Sequence, residues 1–254
     1  MPVVQSEGVD IYYEDLRADG RPVVLVHGFA SSLAVNWRLT GWIDALAAAG
    51  RHVIALDCRG HGKSGKPHDP SAYAGAVMSR DVTAVMDAAG VDVADVMGYS
   101  MGSTIVLGLI TLYPRRCRSA VLGGFGLHDP ATVDAEHFAA ADALSAPDAG
   151  SISDPAMAAF RQFLERSGQD VNALAAVMGG QSMNEDESAI REAGLPVLLA
   201  CGEGDEALPG AQRLASLLPR ATLTTVPGAT HLTAVASPAF RAAVLEFLGH
   251  SRAP

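Results

Sequence analysis

Ser100 sits in Gly98-Tyr99-Ser100-Met101-Gly102, between the apolar run Val93–Met97 and a helix-like stretch that opens near Ser100 itself. A G-x-S-x-G pattern between a strand and a helix describes a nucleophile elbow. The turn is so sharp that it drives the serine into a sparsely allowed backbone region and leaves no room for bulk beside it. Gly98 and Gly102 meet that demand, and Ser103 is also small. A serine hydroxyl is nearly inert until a base takes its proton, and the base needs an anion to fix its tautomer and orientation. Two later segments carry those residue types: Gly202-Glu203-Gly204-Asp205 after the run Val197–Ala200, and Gly228-Ala229-Thr230-His231 after Thr222–Val226. The order Ser100, Asp205, His231 is the one expected where an elbow tops a parallel sheet. Such a constellation does acyl transfer, which also needs two N–H donors for the developing oxyanion. Met101, following the serine, and Phe29, in His27-Gly28-Phe29 just past the run Val23–Val26, are the candidates. Taken alone, His27-Gly28-Phe29 has the composition of any strand-to-helix turn.

The elements that must position these residues are legible as alternation. Strand candidates are Val9–Tyr13, Val23–Val26, Val53–Leu56, Val93–Met97, Ala120–Leu122, Val197–Ala200 and Thr222–Val226. Several are continuous apolar runs, as expected of strands covered on both faces. Between them lie helical stretches over Ser32–Ala49, Met78–Ala89 and Ser100–Leu112, and later near Gly210–Leu218 and Pro238–Leu248, several ended by Gly or Pro. The expected fold is α/β, a mostly parallel central sheet with helices on both faces. Residues 125–192 hold no convincing strand. They read as helices near Ala131–Leu144, Pro155–Arg166, Val171–Met178 and Glu187–Ala193, with Ser153-Asp154-Pro155 as a helix start. An all-helical insertion there would stand over the carboxyl ends of the strands, where such sheets place ligands. The expected organisation is a core of 1–127 and 184–254 carrying a helical lid over 128–183.

Composition narrows the function. In 254 residues there are 18 basic and 28 acidic side chains, a net charge of −10, which argues against nucleic acid or an anionic membrane surface as partner. Residues 125–192 alone hold 3 basic and 12 acidic side chains, so nearly all the excess charge belongs to this one segment, which contains the expected lid. No apolar run approaches the ~18 residues of a membrane span, and the first residues lack a basic flank and a signal-like apolar core. Three cysteines, Cys58, Cys117 and Cys201, form no disulfide framework and suit a reducing, cytoplasmic setting. Cys58 and His61 have no second pair at ligand spacing, so no metal is expected. Gly62-Lys63-Ser64 resembles the end of a phosphate loop, but Asp57 stands where that loop needs glycine. No dinucleotide fingerprint follows the first strand, and no cofactor is expected.

Taken together, His27-Gly28-Phe29, the segment DCRGHGKS at 57–64, GYSMG at 98–102, GEGDEALP at 202–209 and GATH at 228–231 resemble the α/β-hydrolase family, in its single-domain, lidded, carboxylesterase-like branch. The resemblance covers the chain outside ~128–183. It implies Ser100 as nucleophile, His231 as general base and then acid, Asp205 as the orienting acid, and Phe29 and Met101 as the oxyanion hole. Segment 57–64 is implied to be a structural loop. Glu206 and Asp129 are the competing acids, the latter because some members take the acid from the earlier strand. A serine at position 100 disfavours the dehalogenase and epoxide-hydrolase branches, which use Asp there.

The expected function is a serine hydrolase of small, mostly uncharged carboxylic esters, acting through an acyl-enzyme, with Tyr99, Trp37 and Phe125 among the pocket residues. A C–C hydrolase of aromatic ring-cleavage products is the enzyme alternative, on the strength of Asn36-Trp37. It lacks that group's glycine-rich oxyanion loop, since Ala30-Ser31-Ser32 stands in its place. A ligand receptor that keeps the three residues without efficient turnover is the non-enzyme alternative.

Overall fold

A computed structural model describes residues 2–127, 140–180 and 186–250. Eight strands form one sheet: β1 (Val3–Ser6), β2 (Val9–Leu16), β3 (Pro22–Val26), β4 (His52–Leu56), β5 (Ala94–Tyr99), β6 (Cys117–Gly123), β7 (Val197–Gly202) and β8 (Ala221–Val226). Their spatial order is β1-β2-β4-β3-β5-β6-β7-β8. β1 pairs antiparallel with β2 and β2 with β4, and every other pairing is parallel. This is the mostly parallel sheet expected from the apolar runs.

Those runs are continuous because both faces of the sheet are buried. Val24 and Val26 of β3, Val96 of β5 and Leu199 of β7 enter one core, and Val23, Leu25, Met97 and Leu198 enter the other. The period of two persists, but it separates two cores rather than core from solvent. Helices α2 (Val77–Ala88) and α3 (Met101–Leu112), with Glu187–Glu192 and Leu208–Leu217, cover the first face. Helix α1 (Trp42–Ala48) and the helix Pro238–His250 cover the second.

Two expectations need correction. β1 was not anticipated: it is a four-residue edge strand with Val3 half exposed, too short and too exposed to announce itself by burial. The single helix expected over Ser32–Ala49 is two. A π-helical turn, Ala34–Arg38, is separated from α1 by Gly41, whose φ of +79° is left-handed and ends the first piece. Segment 57–64 is a tightly tied loop. The Asp57 carboxylate accepts from Leu33 N–H at 2.7 Å and Lys63 N–H at 2.8 Å, and Ser64 Oγ donates to Asp57 O at 2.6 Å. Buried Arg59 holds Asp81 with two bonds of 2.6 Å.

Between β6 and β7 the described residues are helical or irregular, with helices over 140–145, Pro155–Arg166, Val171–Gly180 and Glu187–Glu192. Asp154 caps the second by accepting from Ala156 and Met157 N–H, with Pro155 in the first turn, as the sequence signal indicates. Leu144, Leu164, Val171 and Leu174 form a third apolar cluster against which Phe29 and Ala30 pack. Residues 128–139 and 181–185, with Asp129 and both expected ends of the lid at 128 and 183, lie outside the described residues.

Candidate active site

Strands β3, β5, β7 and β8 run parallel, so the residues just past their ends share one edge of the sheet. At the end of β5, Ser100 has φ +52° and ψ −121°, a region disfavoured for a residue with a Cβ. Packing over-determines that strain. A Cβ on Gly98 would stand 2.3 Å from Gly102 O, and one on Gly102 would stand 2.1 Å from Val26 O, so α3 can start this close to β3 only with glycine at both places. Ser100 N–H and Ser103 Oγ both donate to Gly123 O, at 2.8 and 2.9 Å. Met101 is the first residue of α3, where N–H groups have no partner within the helix.

Beyond β7, Asp205 is held in a tight turn, its N–H donating to Gly202 O at 3.1 Å and its Oδ1 accepting from Ala207 N–H at 3.0 Å. Beyond β8, Thr230 caps the short helix His231–Ala234 through a reciprocal box with Thr233. The two turns interlock because Gly202 has no side chain: a Cβ there would lie 2.3 Å from Ala229 O. Gly204 N–H also donates to Ala229 O at 2.9 Å.

These placements bring three side chains into one hydrogen-bonded line. His231 Nε2 lies 3.0 Å from Ser100 Oγ, and His231 Nδ1 lies 3.2 Å from each Asp205 oxygen. The Asp205 side chain is 1% exposed and that of His231 is 41% exposed. Burial alone would raise the Asp205 carboxyl. The bonds from His231 and from Ala207 N–H outweigh it, so the group sits below its ordinary value and is ionised at neutral pH. An ionised Asp205 accepts only, which puts the imidazole proton on Nδ1 and leaves the Nε2 lone pair facing the Ser100 hydroxyl.

Glu206, the neighbouring acid, is exposed. Phe29 is partly buried, and among the described residues its N–H donates to no carbonyl or side chain. Tyr99 is 4% exposed and touches the imidazole, its ring centroid 5.7 Å from that of His231, while its hydroxyl donates to His231 O at 2.6 Å. That anchor had no signal in the sequence beyond its place in the elbow. Phe125 is 3% exposed and lies in the core on the α2–α3 face. Trp37 does not line a pocket. It is fully buried against Trp42 in the core on the α1 face, because the π-helical turn directs it inward. Its neighbour Asn36 is the residue that reaches the site, Oδ1 accepting from Gly28 N–H at 3.1 Å.

Among the described residues no group of three His, Cys, Asp or Glu side chains could hold a metal ion, and no helix is long and apolar enough to cross a membrane. The three cysteines are free and buried.

A family model described as alpha/beta hydrolase fold matches residues 21–143. Among curated proteins, the chain is 39% identical to Epoxide hydrolase B of Mycobacterium tuberculosis over 102 residues, 40% of this chain and 28% of that protein. It is 31% identical to the putative carbamate hydrolase RutD of Variovorax paradoxus over 258 residues, 93% of this chain and 95% of that protein. Matches to the first several curated relatives span less than half of those proteins' length. Among solved structures, the enol-lactonase from Burkholderia xenovorans superposes with a TM-score of 0.78 at 20% identity, covering 98% of this chain and 100% of that one, a likeness of fold.

Proposed function

Because this chain belongs to the α/β-hydrolase family, we propose that it is a serine hydrolase of small, largely uncharged carboxylic esters. The observation that carries this reading is the unbroken line from buried Asp205 through His231 to Ser100. Ser100 Oγ attacks the ester carbonyl while His231 Nε2 takes its proton, and Asp205 steadies the imidazolium that forms. The tetrahedral oxyanion lies between Met101 N–H, on the positive end of α3, and Phe29 N–H. His231 then protonates the departing alcohol. In the second half it activates a water that hydrolyses the acyl-enzyme, its 41% exposed ring being open to solvent.

The leaning toward uncharged substrates rests on the charge of residues 125–192, three basic against twelve acidic, which repels anions approaching that side. Phe29 and Ala30, packed against Leu144, Leu164, Val171 and Leu174, make the side next to the oxyanion donors apolar. We read the helical segment as the lid, and Tyr99 as support for His231. Three free, buried cysteines agree with a cytoplasmic location. The full-length similarity to a protein named a putative carbamate hydrolase favours carbamates as a second acyl class, cleaved by the same attack at a carbonyl.

The test is turnover of p-nitrophenyl esters of increasing acyl length by wild type and Ser100→Ala. Multiple turnovers that fall by roughly 10⁴-fold or more in the variant, with the fold intact, are expected. Equal rates in the two proteins, or a single turnover followed by arrest, would refute hydrolysis by this route.

A further inference from the structure

Two peptide groups join His27 to Phe29, and three of their four hydrogen-bonding groups are tied down. Gly28 N–H donates to Asn36 Oδ1 at 3.1 Å, and His27 C=O accepts from Cys58 Sγ at 3.9 Å. Gly28 C=O lies 2.7 Å from His27 Nδ1. The fourth group is the Phe29 N–H, which has no partner among the described residues.

The tautomer of His27 follows from its partners. Cys58 N–H lies 2.9 Å from His27 Nε2, and an amide N–H can only donate, so Nε2 carries no proton. The proton is then on Nδ1, donated to Gly28 C=O, which can only accept. The ring is fully buried, and burial lowers its pKa to about 4, so it stays neutral across the working range. A peptide is planar and trans, so the C=O and N–H of one group point in opposite directions. Clamping Gly28 O on the His27 side therefore turns the Phe29 N–H the other way. Ser100 is close: a Cβ on Gly28 would stand 3.4 Å from Ser100 Cβ.

We propose that His27 is a positioning residue for the reaction: its Nδ1–H, held in that tautomer by Cys58 N–H, fixes the Gly28–Phe29 peptide plane so that Phe29 N–H is presented to the oxyanion. This rests on the reading of Ser100 as nucleophile. It gives the buried histidine a task distinct from filling space, because a filler needs the ring's volume but not the position of its proton.

Two substitutions separate the ring's two nitrogens. His27→Asn places a carboxamide N–H near the Nδ1 position and keeps the clamp, and His27→Gln places its carboxamide near Nε2 and loses it. The readouts are kcat, KM and the ratio of rates on an oxo-ester and its thiono-ester, which reports how strongly the oxyanion donors discriminate oxygen from sulfur. His27→Gln is expected to lose about 100-fold in kcat, the scale of one oxyanion donor, with KM little changed and the oxo-over-thiono preference collapsed. His27→Asn is expected to stay within about tenfold of wild type on that scale and to keep the preference. A His27→Gln enzyme with wild-type kcat and preference, or a His27→Asn enzyme as impaired as His27→Gln, overturns the proposal. Should a variant not fold, nitrogen NMR of the wild-type imidazole decides: the Nδ1–H form supports the clamp and the Nε2–H form overturns it. Failure of the underlying reading looks different, since wild type itself would then show no oxo-over-thiono preference and Ser100→Ala would leave turnover unchanged.

Discussion

At the carboxyl edge of the sheet, Gly98, Gly102 and Gly202 each have backbone of another segment within 2.1–2.3 Å of where a Cβ would stand. In the helical segment between β6 and β7, Gly168 has a left-handed φ of +69° and nothing within 4 Å. The edge is set by backbone against backbone. The segment is held by side chains: the apolar cluster under Phe29 and Ala30, Gln169 Nε2 donating to Ala30 O at 3.2 Å, and an exposed pair of His68 with Asp170 at 3.1 Å. Within its described helices a steric anchor of the first kind is Gly180, where a Cβ would stand 2.0 Å from Pro70 O. The difference teaches where tolerance lies. Positions of the proposed catalytic groups follow from contacts that admit no substitution, whereas the surface facing a substrate can change without moving them.

The sharpest way to break that contrast is at the edge. Asp205→Asn should leave the fold intact and lower kcat by about 10⁴-fold, because an amide in that place favours the wrong imidazole tautomer. Steady-state kinetics with circular dichroism checks this, and a loss below tenfold would remove Asp205 from its proposed role. Gly102→Ala should next cost more than about 3 kcal/mol of stability, its Cβ being driven into Val26 O. Gly168→Ala should cost only about 1 kcal/mol, the backbone preference alone. Urea unfolding of the two variants, if it found equal costs, would dissolve the distinction.

A third prediction concerns pH. Burial lowers His27 to about 4 and His61 to about 3, the latter also repelled by His27. An unfolded chain binds protons at both from about pH 6.5 downward, while the folded protein does not until near those lower values. Between them the unfolded state holds more protons, so stability falls as pH falls, the loss beginning near 6.5 and completing near the folded values. Unfolding free energy should drop by on the order of 3 kcal/mol from pH 7.5 to 5 from these two rings. A flat profile, or an equal slope in His61→Gln, would contradict this. The smallest effect belongs to the segment: His68→Ala should change stability by less than about 1 kcal/mol, since an exposed pair is screened by solvent. Thermal melts with and without salt measure it.

Much of the edge was legible because glycine and apolar periodicity are local signals. Ser100 and Asp205 each follow an apolar run and His231 follows the threonine-rich strand Thr222–Val226, and the parallel order of β5, β6, β7 and β8 puts the ends of these strands at one edge. What escaped was set by tertiary contact. The Tyr99 hydroxyl on His231 O and the Asn36 amide on Gly28 N–H join residues through space, and no spacing marks either. Trp37 was misread for a related reason: an aromatic close in sequence to the Phe29 loop suggests a pocket wall, but the π-helical turn buries it beside Trp42. The break at Gly41 was hidden because a glycine inside an apolar-periodic stretch looks tolerated until its φ is known. In the segment between β6 and β7, composition reveals acidity and helix caps such as Asp154, but not which side chains face the site.

The central claim is that Ser100 Oγ carries the acyl group. Acid-quenching the enzyme during turnover of a slowly hydrolysed p-nitrophenyl ester, followed by peptide mass analysis, tests it directly. The account predicts one acyl mass on the peptide containing Ser100, absent in Ser100→Ala and accumulating further when deacylation is slowed in acid. An acyl mass on any other residue, or the same adduct yield in Ser100→Ala, would contradict it.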